Sequence, residues 1–141
     1  MSAKRILSAI FDYRVSRVLA GLWMALIFWL SSLPDVPGPN LFSAQDKLEH
    51  FLVFGILGFL LASALGPWKR RPTWREIAFA TSIVAAYGAF DELHQMFVSG
   101  RTASLFDLFF DSLGGFCFVC LYRRFFPYLQ TAGSQSRNPT C

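Results

Sequence analysis

Residues 77–100 read IAFATSIVAAYGAFDELHQMFVSG: Ile77–Phe90 is uncharged, and the pattern runs without a helix breaker into Asp91-Glu92-Leu93-His94-Gln95. A helix crossing a bilayer needs about 20 mostly apolar residues. Ile77–Phe90 is therefore too short alone and spans only if it takes its two acids and its histidine along. Outward from this stretch, Val18–Pro34 and Phe51–Trp68 reach spanning length unaided, and Ser104–Tyr122 does so only by accepting Asp107 and Asp111. The reading is all-α, a polytopic four-helix membrane bundle with polar residues inside its third and fourth helices.

Composition supports a membrane solvent. The chain has 141 residues, 54% of them hydrophobic, 17% aromatic and 16% charged. Soluble domains average about a quarter charged residues, and a domain this small has too little interior for so much apolar side chain. Disordered and collagen-like classes are excluded. Cys117, Cys120 and Cys141 are an odd number at no metal-finger spacing, so no disulfide framework follows; Cys117 and Cys120 lie in an apolar run and read as packing.

Pro34, Pro37 and Pro39 mark an extended loop, Gly66-Pro67 closes the second helix, and Ser99-Gly100 closes the third. Ser43 with Asp46, Thr73 with Glu76 and Ser104 with Asp107 have capping-box spacing and place three helix starts.

Basic residues accumulate on the cytoplasmic side of membrane proteins. Lys4, Arg5, Arg14 and Arg17 precede the first helix, Lys69, Arg70, Arg71 and Arg75 separate the second and third, and Arg123, Arg124 and Arg137 follow the fourth. Eleven of the 13 Lys and Arg thus fall on one side, and both termini are expected in the cytoplasm. Seven of the nine acids fall on the other side, with Lys47 and Arg101. The net charge of +4 is then a topology signal, and nucleic acid is excluded as a partner. Residues 1–17 read as a basic amphipathic segment on the inner surface, with Ile6, Leu7, Ile10 and Phe11 at one-turn spacing. Residues 18–126 form the transmembrane domain, and 127–141 read as a disordered cytoplasmic tail. Small residues at four-residue spacing, Ala78, Ser82, Ala86 and Ala85, Ala89, predict that the third helix is central.

Three polar clusters converge on the outer side. Asp46 and His50 stand one turn apart, Asp91 is beside His94 and Gln95, and Asp107 and Asp111 are again one turn apart. Asp46 and Asp107 also have a plain reading as capping acids, and Glu49 reads as solvated. Counted at 1.5 Å per residue from Arg123, Asp111 lies about 12 Å beneath the outer surface, where a charge costs at least about 2.5–3.5 kcal/mol unless paired, protonated or wetted. Asp91, His94 and Asp111 are therefore the residues least explained by structure alone, ion pairs with Arg101 or Lys47 being the competing account. The two histidines match no zinc signature, so no metal and no cofactor is expected. Acid–base chemistry needs only one histidine and one carboxyl in a partly dry pocket; His94, Asp91 and His50 are its candidates.

Asp46-Lys47-x-x-His50-Phe51, Asp91-Glu92-x-His94-Gln95-x-Phe97-Val98-x-Gly100-Arg101, Ser104-x-x-Asp107 and Asp111-x-x-Gly114, with Ser31-Ser32 ending the first helix, resemble the VanZ-like family of small integral membrane proteins. The resemblance covers about Ser31 to Gly115. The chain departs from the pattern at Asp111, where many members have Asn, and at Ser99, where Pro is frequent. The resemblance implies a four-helix protein of the bacterial cell envelope, and it connects the family with antibiotic resistance through its founding member, associated with teicoplanin.

Two functions follow as expectations. The first is a binding protein of the cell membrane whose outer-leaflet pocket, lined by Asp46, Lys47, His50, Asp91, Glu92, His94, Gln95, Arg101, Asp107 and Asp111, takes a lipid-linked or amphiphilic molecule. A lipid-linked cell-wall precursor or a lipoglycopeptide fits that description, alongside membrane lipids and a second copy of the chain as partners. The alternative is an intramembrane hydrolase or transferase acting on a lipid-linked headgroup, with His94 as acid–base and Asp91 orienting it. A proton-linked transporter using Asp111 is disfavoured, because four short helices make a small translocation unit.

Overall fold

In the computed structural model, which describes residues 12–34, 45–66 and 71–137, the Asp12 side chain accepts the backbone N–H of Arg14 at 2.8 Å and starts the first helix. The helices are α1 (Tyr13–Ser31), α2 (Gln45–Ala64), α3 (Trp74–Gln95) and α4 (Leu105–Arg137), and the described residues contain no strand. Met1–Phe11, Ser43, Pro37, Pro39, Lys69 and Arg70 lie outside the described residues, and with them the amphipathic segment, one capping box and most of the proline loop. Tyr13–Ser31, Gln45–Ala64 and Leu105–Pro127 are long and apolar enough to cross a membrane. α3 has 22 residues, about 33 Å at 1.5 Å per residue, and carries its acids at its C-terminal end.

The helices alternate in direction. Ser16 near the start of α1 meets Ser63 near the end of α2, the ends of α1 and α3 meet at Ser31 and Asp91, and the starts of α2 and α4 meet at Lys47 and Asp107. The core has two layers: Ile27, Phe54, Leu57 and Val84 form one, and Ala62, Ile77, Ala80, Val119, Tyr122 and Phe126 the other. Val18, Leu22, Trp29, Phe79, Phe106 and Phe109 face outward. Contiguous exposed apolar surface on this scale suits lipid as the surrounding solvent. Hydrogen bonds join the helices laterally: Ser16 Oγ lies 2.7 Å from Ser63 Oγ, Trp23 Nε1 donates to the Val53 carbonyl at 2.9 Å, and the Tyr87 hydroxyl donates to the Met24 carbonyl at 2.6 Å.

The basic end has its own ties. Arg17 Nε donates to the Ala64 carbonyl at 3.0 Å, where a cation suits the C-terminal end of α2, and Arg123 Nε donates to the Pro72 carbonyl at 2.8 Å with its guanidinium 4.7 Å from the Trp74 ring centroid. The Thr73–Glu76 capping box is complete: the Thr73 hydroxyl accepts the Glu76 N–H, and the Glu76 carboxyl accepts the Thr73 N–H at 2.6 Å.

Three expectations change. The central helix is α2, packed most extensively on α4 and also against α1 and α3. The stripe Ala78, Ser82, Ala86 and Ala89 of α3 faces outward, because burying Asp91, Glu92 and Gln95 turns Ile77, Ala80, Val84 and Gly88 inward with them. Burial of the acids outranks the packing of small side chains. The last helix continues past Pro127 to Arg137, where a disordered tail is expected. A formed helix extends at one hydrogen bond per added residue without a new nucleus.

Glycine permits the close α2–α4 approach. A Cβ on Gly58 would stand 2.7 Å from the Gly115 carbonyl oxygen, a backbone atom that cannot rotate away, whereas a Cβ on Gly21 of α1 would meet nothing within 4 Å. Gly58→Val is expected to destabilise the bundle by about 1–3 kcal/mol through overpacking. Gly21→Ala is expected to be neutral or to stabilise by up to about 1 kcal/mol through helix propensity. Unfolding in mixed micelles, followed by circular dichroism, checks both.

Candidate functional site

At the end of the bundle opposite Arg17 and Arg123, four carboxyl side chains enter the protein interior. Asp91 is 2% exposed, Glu92 7%, Asp107 8% and Asp111 0%. Each comes from a helix that is otherwise apolar, and each has a traceable partner.

Asp91 is held between α1 and α3. Ser31 Oγ donates to its Oδ1 at 2.6 Å, and Gln95 Nε2, one turn along, donates to its Oδ2 at 2.9 Å. His94 does not join them. Its Nε2 lies 2.9 Å from Ser32 Oγ and its ring stands 4.4 Å from that of Phe28. One turn apart on α3, Asp91 and His94 thus take separate partners at the end of α1, Ser31 and the capping Ser32, and the expected Asp91–His94 orienting pair is replaced by two serine contacts.

The histidine that does face a buried carboxyl is His50. Its Nδ1 lies 2.8 Å from Asp111 Oδ1, joining α2 to α4. Asp111 fits because α3 has glycine opposite it: a Cβ on Gly88 would stand 2.9 Å from Asp111 Oδ2. Lys47, one turn before His50, reaches Asp107 across the same α2–α4 contact and also Asp46 at 2.7 Å. Asp46 is largely exposed and Glu49 is exposed, accepting from Gln45 at 2.8 Å.

The α4 start keeps half of its expected capping box, the Ser104 hydroxyl accepting the Asp107 N–H at 3.4 Å, and replaces the other half. The Asp107 side chain goes to Lys47, and the Ser104 N–H is taken by Glu92 Oε2 at 2.6 Å. Only the capping acid thus comes from α3, which ties the two helices together at the site. Among the described residues Arg101 pairs with no acid: its Nε donates to the Leu33 carbonyl at 3.0 Å and its Nη2 to the Leu30 carbonyl at 3.3 Å. A cation at the C-terminal end of α1 is favourable. Gly100 precedes it with φ 83°, a left-handed conformation that glycine adopts without strain.

The structure therefore divides the ten expected lining residues. Lys47, His50, Glu92, Asp107 and Asp111 form one cluster between α2, α3 and α4. Asp91, His94 and Gln95 form a second against α1, Arg101 braces the end of α1, and Asp46 lies at the rim. One ligand atom each from His50, Glu92 and Asp107 lies within 4.8 Å of the others, a spacing that a divalent cation can bridge. Two carboxyl oxygens, Glu92 Oε1 and Asp111 Oδ2, are buried without a hydrogen-bond partner among the described residues.

Sequence reasoning gives no role to Gly88 or to the Ser104 N–H, and none to Ser31 and Ser32 beyond their place in a pattern. A glycine inside a long helix, which costs about 1 kcal/mol against alanine, is the one signal that marked Gly88.

The Ser31–Asp91 contact is testable by a double-mutant cycle. Ser31→Ala with Asp91→Asn is expected to show a coupling of about 0.6–1.7 kcal/mol, the range of hydrogen bonds between membrane helices. Ser16→Ala, at the other end of α1, with Asp91→Asn is expected to be additive within about 0.5 kcal/mol. Unfolding free energies in mixed micelles supply all the values.

A family model described as VanZ/LLP1 matches residues 16–126. The matched region takes in every polar residue of both clusters. No curated protein and no solved structure matches the chain.

Proposed function

The chain belongs to the VanZ/LLP1 family, and from that premise we propose that it is a membrane protein of the bacterial cell envelope that binds the polar headgroup of a lipid-linked or amphiphilic molecule at the acidic end of the bundle. The observation that carries this reading is the pairing of that polar interior with an apolar rim. Met96, Phe97, Leu105 and Phe106 are more than 60% exposed and flank the segments that supply Glu92, Gln95, Arg101 and Asp107. A molecule with one polar and one apolar part matches both surfaces at once.

The gathering of basic residues at the opposite end supports a cytoplasmic position for that end and for both termini, by the positive-inside rule. On this reading the acidic end lies toward the outer leaflet. Buried carboxyls accept hydrogen bonds from hydroxyl or ammonium groups, as on a sugar or an amine-bearing headgroup, and those bonds gain strength from charge. Arg101 uses only Nε and Nη2 on α1, and its Nη1 has no partner among the described residues. That nitrogen has two N–H donors to offer an anionic substituent. Retention of a lipid-linked cell-wall precursor or of a lipoglycopeptide at this site would alter antibiotic access to its target, which is the proposed route to teicoplanin tolerance.

A second reading, hydrolysis or transfer of the bound headgroup, is favoured by one observation. His50 and Asp111 form the histidine–carboxyl pair that acid–base catalysis requires, so the catalytic assignment moves from His94 and Asp91 to His50 and Asp111.

Lipids retained by the detergent-purified protein, identified by mass spectrometry, are expected to be enriched several-fold over the bulk membrane in one headgroup class. Arg101→Ala at matched abundance is expected to lose that enrichment; bulk composition on the wild type removes the binding proposal. In a Gram-positive host, teicoplanin susceptibility is expected to fall with the wild type and to return with Arg101→Ala, vancomycin susceptibility remaining unchanged. A converted lipid that disappears in His50→Gln favours the catalytic reading.

A further inference from the structure

We infer that His50, Glu92 and Asp107 form a binding site for a divalent transition-metal cation. The site stands on its own donor set and does not depend on the lipid-binding reading. It draws one imidazole from α2 and one carboxyl each from α3 and α4, with a ligand atom of each within 4.8 Å of the other two.

Charge provides the first argument. Glu92, Asp107 and Asp111 are each more than nine-tenths buried. The one side-chain ammonium bonded to any of them among the described residues is that of Lys47, on Asp107. Carboxyls removed from water need a cation or a proton to compensate them. A divalent ion among them supplies two positive charges at a single point.

The second argument is the state of the individual atoms. Glu92 Oε2 is occupied by the Ser104 N–H at 2.6 Å, which fixes the carboxyl, while its Oε1 is buried with no hydrogen-bond partner among the described residues. An acceptor left bare in an apolar interior forfeits its hydration without replacement. Coordination to a cation supplies the replacement.

The third argument is the orientation of the imidazole. Asp111 holds Nδ1 of His50 at 2.8 Å. With Nδ1–H donating to the carboxyl, Nε2 keeps its lone pair and is the nitrogen left to bind an ion. A carboxyl behind a metal-binding histidine, fixing its tautomer and ring direction, is the usual arrangement at such sites. Asp111 is thus a positioning residue in this site, and Gly88 is the space that admits it.

One nitrogen and two carboxyl donors suit zinc or manganese better than a soft thiolate-seeking metal. Three protein donors also leave coordination positions for water or for an oxygen of a bound molecule. Lys47 is the competitor, because its ammonium occupies Asp107. The cation and Lys47 therefore oppose each other at one carboxyl.

The test uses the full chain, purified in a defined detergent without added lipid, stripped with chelator and titrated separately with Zn2+ and Mn2+. Bound metal is read by elemental analysis and affinity by calorimetry. One equivalent of Zn2+ or Mn2+ per chain is expected, weakened tenfold or more in both His50→Ala and Glu92→Gln and unchanged in His94→Ala. Lys47→Met, which keeps the aliphatic stem and frees Asp107, is expected to bind several-fold more tightly. Absence of saturable binding in the wild type overturns the site, as does binding indifferent to both His50→Ala and Glu92→Gln. If His50→Ala does not fold, Asp107→Asn replaces it with the same expectation, and the metal-induced rise in Tm of the wild type, absent in Glu92→Gln, is the second readout. Lipid enrichment is measured in a separate preparation, so its failure leaves the metal result intact.

Discussion

Four acids buried in an apolar bundle set the constraint that the rest of this structure obeys. Asp91, Glu92, Asp107 and Asp111 sit between 0% and 8% exposed, in helices whose outer faces are made of Phe, Leu, Val and Trp. A carboxylate at membrane depth costs at least about 2.5–3.5 kcal/mol without a partner. Each is therefore matched to a donor on another segment: Ser31, the Ser104 N–H, Lys47 and His50. These bonds run from α3 to α1, from α3 to the start of α4, and from α2 to α4. The polar end accordingly helps to fix helix rotation, alongside the glycine contact of α2 with α4.

The same constraint explains why α3 faces as it does. Its small residues at 78, 82 and 86 offer a smooth seam for a neighbouring helix, and on packing alone they would turn inward. Turning them inward would swing Asp91 and Glu92 toward lipid. The structure instead buries the face carrying Ile77, Ala80, Val84, Gly88, Asp91 and Gln95, and the close helix approach is made elsewhere, by Gly58 and Gly115 of α2 and α4.

Much of this was legible in the sequence because it follows from length and sign. Long apolar runs give four helices, basic residues gather at one end, and Asp46, Asp91 and Asp107 fall at the other by counting. Thr73 and Glu76 cap α3 as their spacing requires. Pairing was not legible, because spacing along one helix cannot say which way a side chain turns. His94 stands three residues from Asp91 and reads as its partner, yet each turns to its own serine at the end of α1. His50 and Asp111, 61 positions apart, meet because α2 and α4 cross closely at glycines. Ser104 and Asp107 show a related limit: the spacing marks the helix start correctly, but the capping acid arrives from Glu92 on another helix.

The two histidines differ in what their surroundings let them do. His94 lies against Phe28 with a hydroxyl for its nitrogen, an environment that holds the ring in place and joins α3 to the end of α1. His50 has a fully buried carboxyl behind one nitrogen and two further carboxyls within ligand distance. A ring so placed is polarised by the carboxyl on Nδ1 and has two more carboxyls near it, so neither a second neutral hydrogen bond nor plain packing completes its environment. A cation or a proton on Nε2 does. The chemistry of the acidic end therefore centres on α2 at His50, and Lys47, one turn away on the same helix, sets how much negative charge that centre keeps.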